Sequence, residues 1–101
     1  MIYALVVPGP IPDVEQIRIL EWHGAIGQKF EPEEMLVELE TYKALVEVRA
    51  GQPGFLRKII SEAGNWEDVG APIALFSDTA DEALPANTEQ IADLPASFEV
   101  S

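Results

Sequence analysis

The sequence predicts an all-β fold, a flattened barrel of two small antiparallel sheets related by a rough twofold axis. Three observations carry that expectation. Apolar and polar residues alternate over short runs, the period of a strand with one buried face. Glycine or proline interrupts these runs about every eight to twelve residues, the spacing of short strands joined by tight turns. A faint internal repeat recurs at an offset of 37 residues, pairing Ile19 with Leu56, Trp22 with Ile59, Gly27 with Gly64, Leu36 with Ile73 and Leu39 with Phe76. Each half reads strand, glycine turn, polar loop, strand, and two such halves can bury one face against the other.

In chain order, Ile2–Val7 is the first expected strand, and Pro8 ends it because proline removes a ladder donor. The loop Pro8–Gln16 is stiffened by three prolines. Ile17–Trp22 follows, with Trp22 in the core, and then the turn Gly27-Gln28-Lys29. Met35–Glu40 and Ala44–Val48 form a hairpin around a short tip. Gly54–Ile60, the turn Gly64-Asn65-Trp66 and Ile73–Phe76 repeat the first half. Trp66, in a polar loop, is expected to cover one end of the barrel.

From Thr79 the chain reads TADEALPANTEQIADLPASFEVS, with no basic residue. Residues 1–78 are therefore expected to form the domain, and 79–101 an acidic, flexible Ala/Pro-rich tail or the beginning of a linker. A short helix over Thr88–Asp93, capped by Thr88, fits the tail sequence, and Phe98 and Val100 are apolar enough to dock. The repeat makes Ala80 the partner of Lys43, which places the tail and the Lys43 hairpin at opposite ends.

Composition narrows the function classes. With 101 residues the chain is one domain. Its net charge of -12, from 18 acidic and 6 basic residues, argues against nucleic acid, which needs clustered Lys and Arg. The same charge keeps copies apart and suits a basic partner surface. No apolar run approaches the roughly 20 residues needed to cross a bilayer. The start, MIYALVVPGP, has no basic n-region, so no membrane association and a cytoplasmic location are expected. There is no cysteine for disulfide or thiolate chemistry, and one histidine, His23, cannot by itself make a triad or a histidine-based metal centre. No catalytic residue and no metal ligand is assigned.

The chemistry concentrates in Glu40-Thr41-Tyr42-Lys43-Ala44. A lysine at a hairpin tip lifts its amine clear of the fold, where an enzyme can attach a cofactor that then swings. Of three lysines (Lys29, Lys43, Lys58), Lys43 alone lies between two such strands.

With ETYKA in place, the chain from about Ile17 to Phe76 resembles a lipoyl domain of 2-oxoacid dehydrogenase complexes, a member of the biotinyl/lipoyl attachment family with a barrel-sandwich hybrid fold. That family's usual hairpin is Glu-Thr-Asp-Lys-Ala. It carries glycines sixteen residues before the lysine and eleven after it, here Gly27 and Gly54. The resemblance continues through LVEVRAGQPGFLRKIISEAGNWEDVGAPIALF. It implies lipoate joined to Lys43 as an amide, with Glu40, Thr41, Tyr42 and Ala44 as flanking recognition residues and Gly27 and Gly54 as turn glycines. It also implies a non-catalytic carrier, free-standing or part of a dihydrolipoamide acyltransferase chain. The implied partners are a lipoate ligase or lipoyl transferase and the dehydrogenase, acyltransferase and dihydrolipoamide dehydrogenase components. The cofactor would shuttle acyl groups and reducing equivalents between their active sites.

Tyr42 stands where the family has aspartate, and the Pro8–Gln16 loop replaces a glycine-rich one. Two alternatives stand beside the lipoyl reading. One is an unmodified structural or protein-interaction module using Tyr42 and the acidic surface. The other is a biotin carrier, against which the absence of methionine on either side of Lys43 argues.

Overall fold

The structure, a computed structural model, describes residues 1–86 and 91–101. Among them are ten strands and no helix: β1 (Ile2–Val6), β2 (Gln16–Trp22), β3 (Lys29–Phe30), β4 (Met35–Glu40), β5 (Leu45–Ala50), β6 (Gly54–Ile59), β7 (Trp66–Asp68), β8 (Pro72–Ser77), β9 (Ala92–Asp93) and β10 (Ala96–Val100). They form two five-stranded sheets, ordered β3-β6-β8-β1-β9 and β7-β2-β4-β5-β10. The two orders match element for element, and shifting β4 by 37 residues gives the bounds of β8.

Hydrogen bonds give the repeat its physical content. Gly27 N–H donates to Leu56 O at 2.7 Å, and Leu56 N–H donates to Gln28 O at 3.0 Å. The partner set is Gly64 N–H to Ile19 O at 2.7 Å and Ile19 N–H to Asn65 O at 2.8 Å. Each half therefore closes its glycine turn on a strand of the other half. Both glycines stand at positive φ, 94° and 97°, a conformation that costs glycine nothing and other residues about 1–2 kcal/mol.

Alternation supplies the core. In β5 Val46, Val48 and Ala50 point inward while Leu45, Glu47 and Arg49 do not. Ile17, Ile19, Val37 and Leu39 join them from the second sheet, facing Leu5, Leu56, Ile73 and Phe76 from the first. Phe30 and Phe76 meet edge to face, ring centroids 6.1 Å apart. Phe30 reaches this position because residue 24 has no side chain. A Cβ there would lie 2.3 Å from the Phe30 ring tip. Gly24→Ala is accordingly expected to destabilise the fold by about 1–3 kcal/mol through overpacking, read as a lower urea midpoint at unchanged slope.

The two sheets lie face to face with open edges, the barrel-sandwich arrangement expected. Several other expectations are corrected. One pair is not antiparallel: β9 runs parallel to β1, with Tyr3 opposite Ala92. Gly54 is no turn glycine; it is buried as the first residue of β6, opposite Phe30. Trp66 covers nothing, standing 52% exposed on the edge strand β7, whereas Trp22 packs against the core and donates its indole N–H to Ser61 O at 3.0 Å. The helix expected over Thr88–Asp93 lies partly on residues 87–90, outside the described residues, and its end, Ala92–Asp93, is strand β9.

The segment expected to be a separate flexible tail instead extends both sheets. β9 joins β1, Leu94 is buried with its N–H on Ala4 O at 2.8 Å, and β10 runs antiparallel to β5. The sequence concealed this because the segment's apolar residues are few and scattered, and backbone pairing does most of the docking. No helix of the described residues is long and apolar enough to cross a membrane.

Candidate attachment site

The site is built by the hairpin between β4 and β5. Thr41 N–H donates to Ala44 O at 2.8 Å, closing a loop whose two tip residues are Tyr42 and Lys43. The return bond is made by a side chain. Thr41 Oγ1 accepts the N–H groups of Lys43 (3.1 Å) and Ala44 (2.9 Å). Thr41 is buried, so these bonds are partly shielded from water. Its role is to fix the turn, which reading the motif as a recognition sequence alone did not reveal; a threonine opening a hairpin tip is the available signal.

We expect Thr41→Val to cost about 1 kcal/mol, because two backbone donors at the tip lose their acceptor and must find water. Thr41→Ser should restore most of it. Amide exchange at Lys43 and Ala44 checks both variants.

Lys43 is exposed, and no carboxylate among the described residues lies within 4.0 Å of its amine. Its Nζ sits 5.1 Å from the centroid of the Tyr42 ring, which is itself 67% exposed. Such a contact at an exposed site is worth about 0.5–1 kcal/mol, so the amine is lightly held and readily released. Lys29 differs, with its Nζ 3.1 Å from Glu31. Lys58 lies within β6.

Of the other expected site residues, Glu40 forms an ion pair across the sheet, its Oε1 2.6 Å from Arg18 Nη2. Glu40 therefore anchors the base of the hairpin to β2, and such a surface pair contributes roughly 0–1 kcal/mol. Ala44 is half-buried beneath the tip. Gly27 lies in the turn between β2 and β3, and Gly54 in β6; neither lies within the 40–45 hairpin. A bulge in β2 between Ile19 and Glu21 brings Glu21 opposite Glu38, a cluster the sequence did not reveal. His23 Nε2 lies 2.6 Å from Glu38 Oε1 and 3.8 Å from Glu21 Oε2.

The chain end is also displaced from expectation. β10 carries the chain back along β5, so that Ser101 and Leu45 exchange hydrogen bonds at 2.9 and 3.2 Å. Ser101 lines the shallow groove beside hairpin residues 40–45. The tail's last residue therefore lies next to the lysine, not at the opposite end.

A tight hairpin presenting one exposed lysine between twofold-related sheets coincides with a family signature covering residues 4–76, that of the biotin/lipoyl family, described as "Biotin-requiring enzyme". The chain belongs to this biotin/lipoyl family. It is 32% identical over 88 residues to the pyruvate dehydrogenase complex protein X component, mitochondrial, of Saccharomyces cerevisiae, covering 86% of this chain and 22% of that protein. It is 38% identical over 77 residues to the dihydrolipoyllysine-residue acetyltransferase component 2 of the pyruvate dehydrogenase complex, mitochondrial, of Arabidopsis thaliana, 75% of this chain and 14% of that one. A third relative is the dihydrolipoyllysine-residue succinyltransferase component of the 2-oxoglutarate dehydrogenase complex of Bacillus subtilis, 34% identical over 85 residues, 83% of this chain and 20% of that protein. The chain thus spans about a fifth or less of the length of these relatives.

Proposed function

We propose that this chain is a lipoyl carrier domain, with lipoate joined as an amide to Lys43. The observation that carries the reading is an exposed amine, with no carboxylate partner among the described residues, on a turn tied down by buried Thr41. Amide formation removes the lysine charge and with it the contact to Tyr42, so the loaded arm is freed from the surface that holds the bare amine. Lipoate, once attached, would supply the disulfide that accepts an acyl group and reducing equivalents. The protein's own part is to present the arm and to keep its base rigid. The carrier unit in this reading takes in β9 and β10 as well as residues 1–78, with Glu40, Tyr42 and Ala44 as contacts for the modifying enzyme.

The domain itself is non-catalytic. It would serve a 2-oxoacid dehydrogenase-type complex, visiting the dehydrogenase, acyltransferase and dihydrolipoamide dehydrogenase components after loading by a lipoate ligase or lipoyl transferase. Three relatives named as parts of such complexes support this. Tethering gains its advantage from local concentration, in the millimolar range for a short flexible link. A cytoplasmic location remains part of the proposal; two of those relatives carry "mitochondrial" in their names, and cell fractionation checks the compartment.

Biotin is the second reading, favoured by the family description and opposed by Tyr42 and Ala44 flanking the lysine. Intact mass after co-expression with a lipoate ligase and supplied lipoate, and separately with a biotin ligase and supplied biotin, tests both. A lipoyl increment is the expected result. A biotinyl increment with streptavidin binding would replace this reading with biotin carriage. A folded chain left unmodified by both ligases would leave a protein-interaction module.

A further inference from the structure

The edge of the second sheet beside Lys43 is covered by its weakest strand. All five residues of β10 are exposed, including Phe98 at 38% and Val100 at 48%, although each lies opposite a buried valine of β5. The strand is held mainly by its backbone pairing to β5. Its anchor stops one residue earlier: Leu94 is buried, and Pro95 O accepts the Gly51 N–H at 2.8 Å. Beyond Pro95 little apolar area opposes fraying, which places β10 at the low-stability end of the molecule.

Charge weakens it further. Glu99 lies directly opposite Glu47, Glu47 opposite Glu38, and Glu38 opposite Glu21. Four carboxylates cross the exposed face in one row, and like charges in directly opposed positions repel. Inner members of the row have basic neighbours: Arg49 Nη2 lies 3.6 Å from Glu47, and His23 Nε2 lies 2.6 Å from Glu38. Glu99 has no basic partner within 4.0 Å among the described residues. The row therefore ends at β10 with a residue of the wrong sign.

We propose that the β5 edge, Leu45–Ala50, is a docking edge for an extended strand of a partner protein carrying a basic residue between two apolar ones. Such a strand would displace β10. It would repeat the apolar pattern of Phe98 and Val100, the first taking the place of Phe98 over Val48, beside Leu5 and Leu94. Its basic residue would meet Glu47 where Glu99 now does, converting a repulsive end of the row into an attractive one. Because Ser101 pairs with Leu45, the docked strand would end beside the Lys43 hairpin, bringing the partner to the arm. The inference rests on the geometry of β5 and holds whatever Lys43 carries.

The test uses the full chain and a fluorescent peptide of residues 95–101 bearing Glu99→Lys. A peptide bearing Glu99 unchanged and Ser101→Lys instead, opposite the uncharged Leu45, controls for attraction to the acidic chain. The Glu99→Lys peptide is expected to bind at least tenfold more tightly than either the unsubstituted peptide or the Ser101→Lys control. In a chain with Arg49→Cys and Ser97→Cys, whose positions lie directly opposite, oxidation should lock β10 in place and abolish binding, and reduction should restore it. The chain has no other cysteine to interfere. Equal binding of the peptides, no binding at millimolar peptide, or full binding to the locked chain would overturn the proposal. The last outcome would mean that strands add to the outer edge of β10.

Discussion

Lys43→Arg is expected to abolish covalent loading completely while leaving the fold and its stability unchanged. The substitution keeps the positive charge and can keep a contact with the Tyr42 ring, so it changes little in the unmodified protein. It removes the only chemistry that matters for attachment. A lysine amine can lose a proton and form an amide, whereas a guanidinium stays protonated and its nitrogens are poor nucleophiles. Lys29 and Lys58 do not take over, because neither sits on the 40–45 hairpin, and Lys29 is engaged by Glu31. Peptide mapping by mass spectrometry should show the whole increment on Lys43 in the native chain and none in the variant. Residual increment on Lys29 or Lys58 would show that the ligase reads exposed lysines and not the hairpin.

Tyr42 sets the size of a second effect at the same site. Its hold on the amine is worth about 0.5–1 kcal/mol, which is a factor of roughly two to five in free amine. Tyr42→Ala should therefore speed loading only by that factor if the contact is all that matters. Tyr42→Asp, which restores the family's usual residue, should exceed it if the modifying enzyme also reads position 42. Initial loading rates at limiting ligase separate the two contributions.

Most of the first 78 residues could be read from the sequence because two independent periods agree there. Alternation located the six main strands, and the offset of 37 related β4 to β8 and Gly27 to Gly64. The short strands β3 and β7 escaped because two or three residues cannot display a period. The final segment escaped for a different reason. β9 and β10 are exposed throughout, with only Leu94 between them buried, and take their order from unpaired backbone at the edges of β1 and β5, which no side-chain pattern encodes. The place of Lys43 at an exposed hairpin tip was legible from its flanks, but Thr41 as the turn's acceptor was not, since its task depends on the loop conformation. The Glu21–Glu38 pairing was hidden by the β2 bulge, which shifts register by one residue and so changes which side chains share a face.

The largest effect on stability is expected at Phe76. It lies in β8, the central strand of the first sheet, 1% exposed and edge to face with Phe30. Phe76→Ala removes the ring, its aromatic contact and the support of Phe30, leaving a cavity that rigid strands on both sides cannot fill. Such truncations cost about 3–5 kcal/mol, against a total stability of about 5–15 kcal/mol for a domain of this size. The variant should lose about a fifth or more of its stability, measured as a fall in urea midpoint at constant slope, and at the low end of that range it will not fold at ambient temperature. Phe76→Leu should be much milder. The repeat places Leu39 at the twofold-equivalent position, where leucine already fills the corresponding space in the other half. The two leucine-for-ring situations are not identical, because Phe30 maps by the same offset onto Glu67, whose carboxylate accepts the Ser61 hydroxyl at 2.7 Å. Phe76→Leu thus loses the edge-to-face contact, about 0.5–1.5 kcal/mol, and part of the packing against Phe30. A cost for Phe76→Leu as large as for Phe76→Ala would show that the core of the first sheet is built around the ring pair and not around the repeat. In either case loading should follow the folded fraction, since the Thr41 turn survives only on an intact β4–β5 pair, whereas Lys43→Arg removes loading from a fully folded chain.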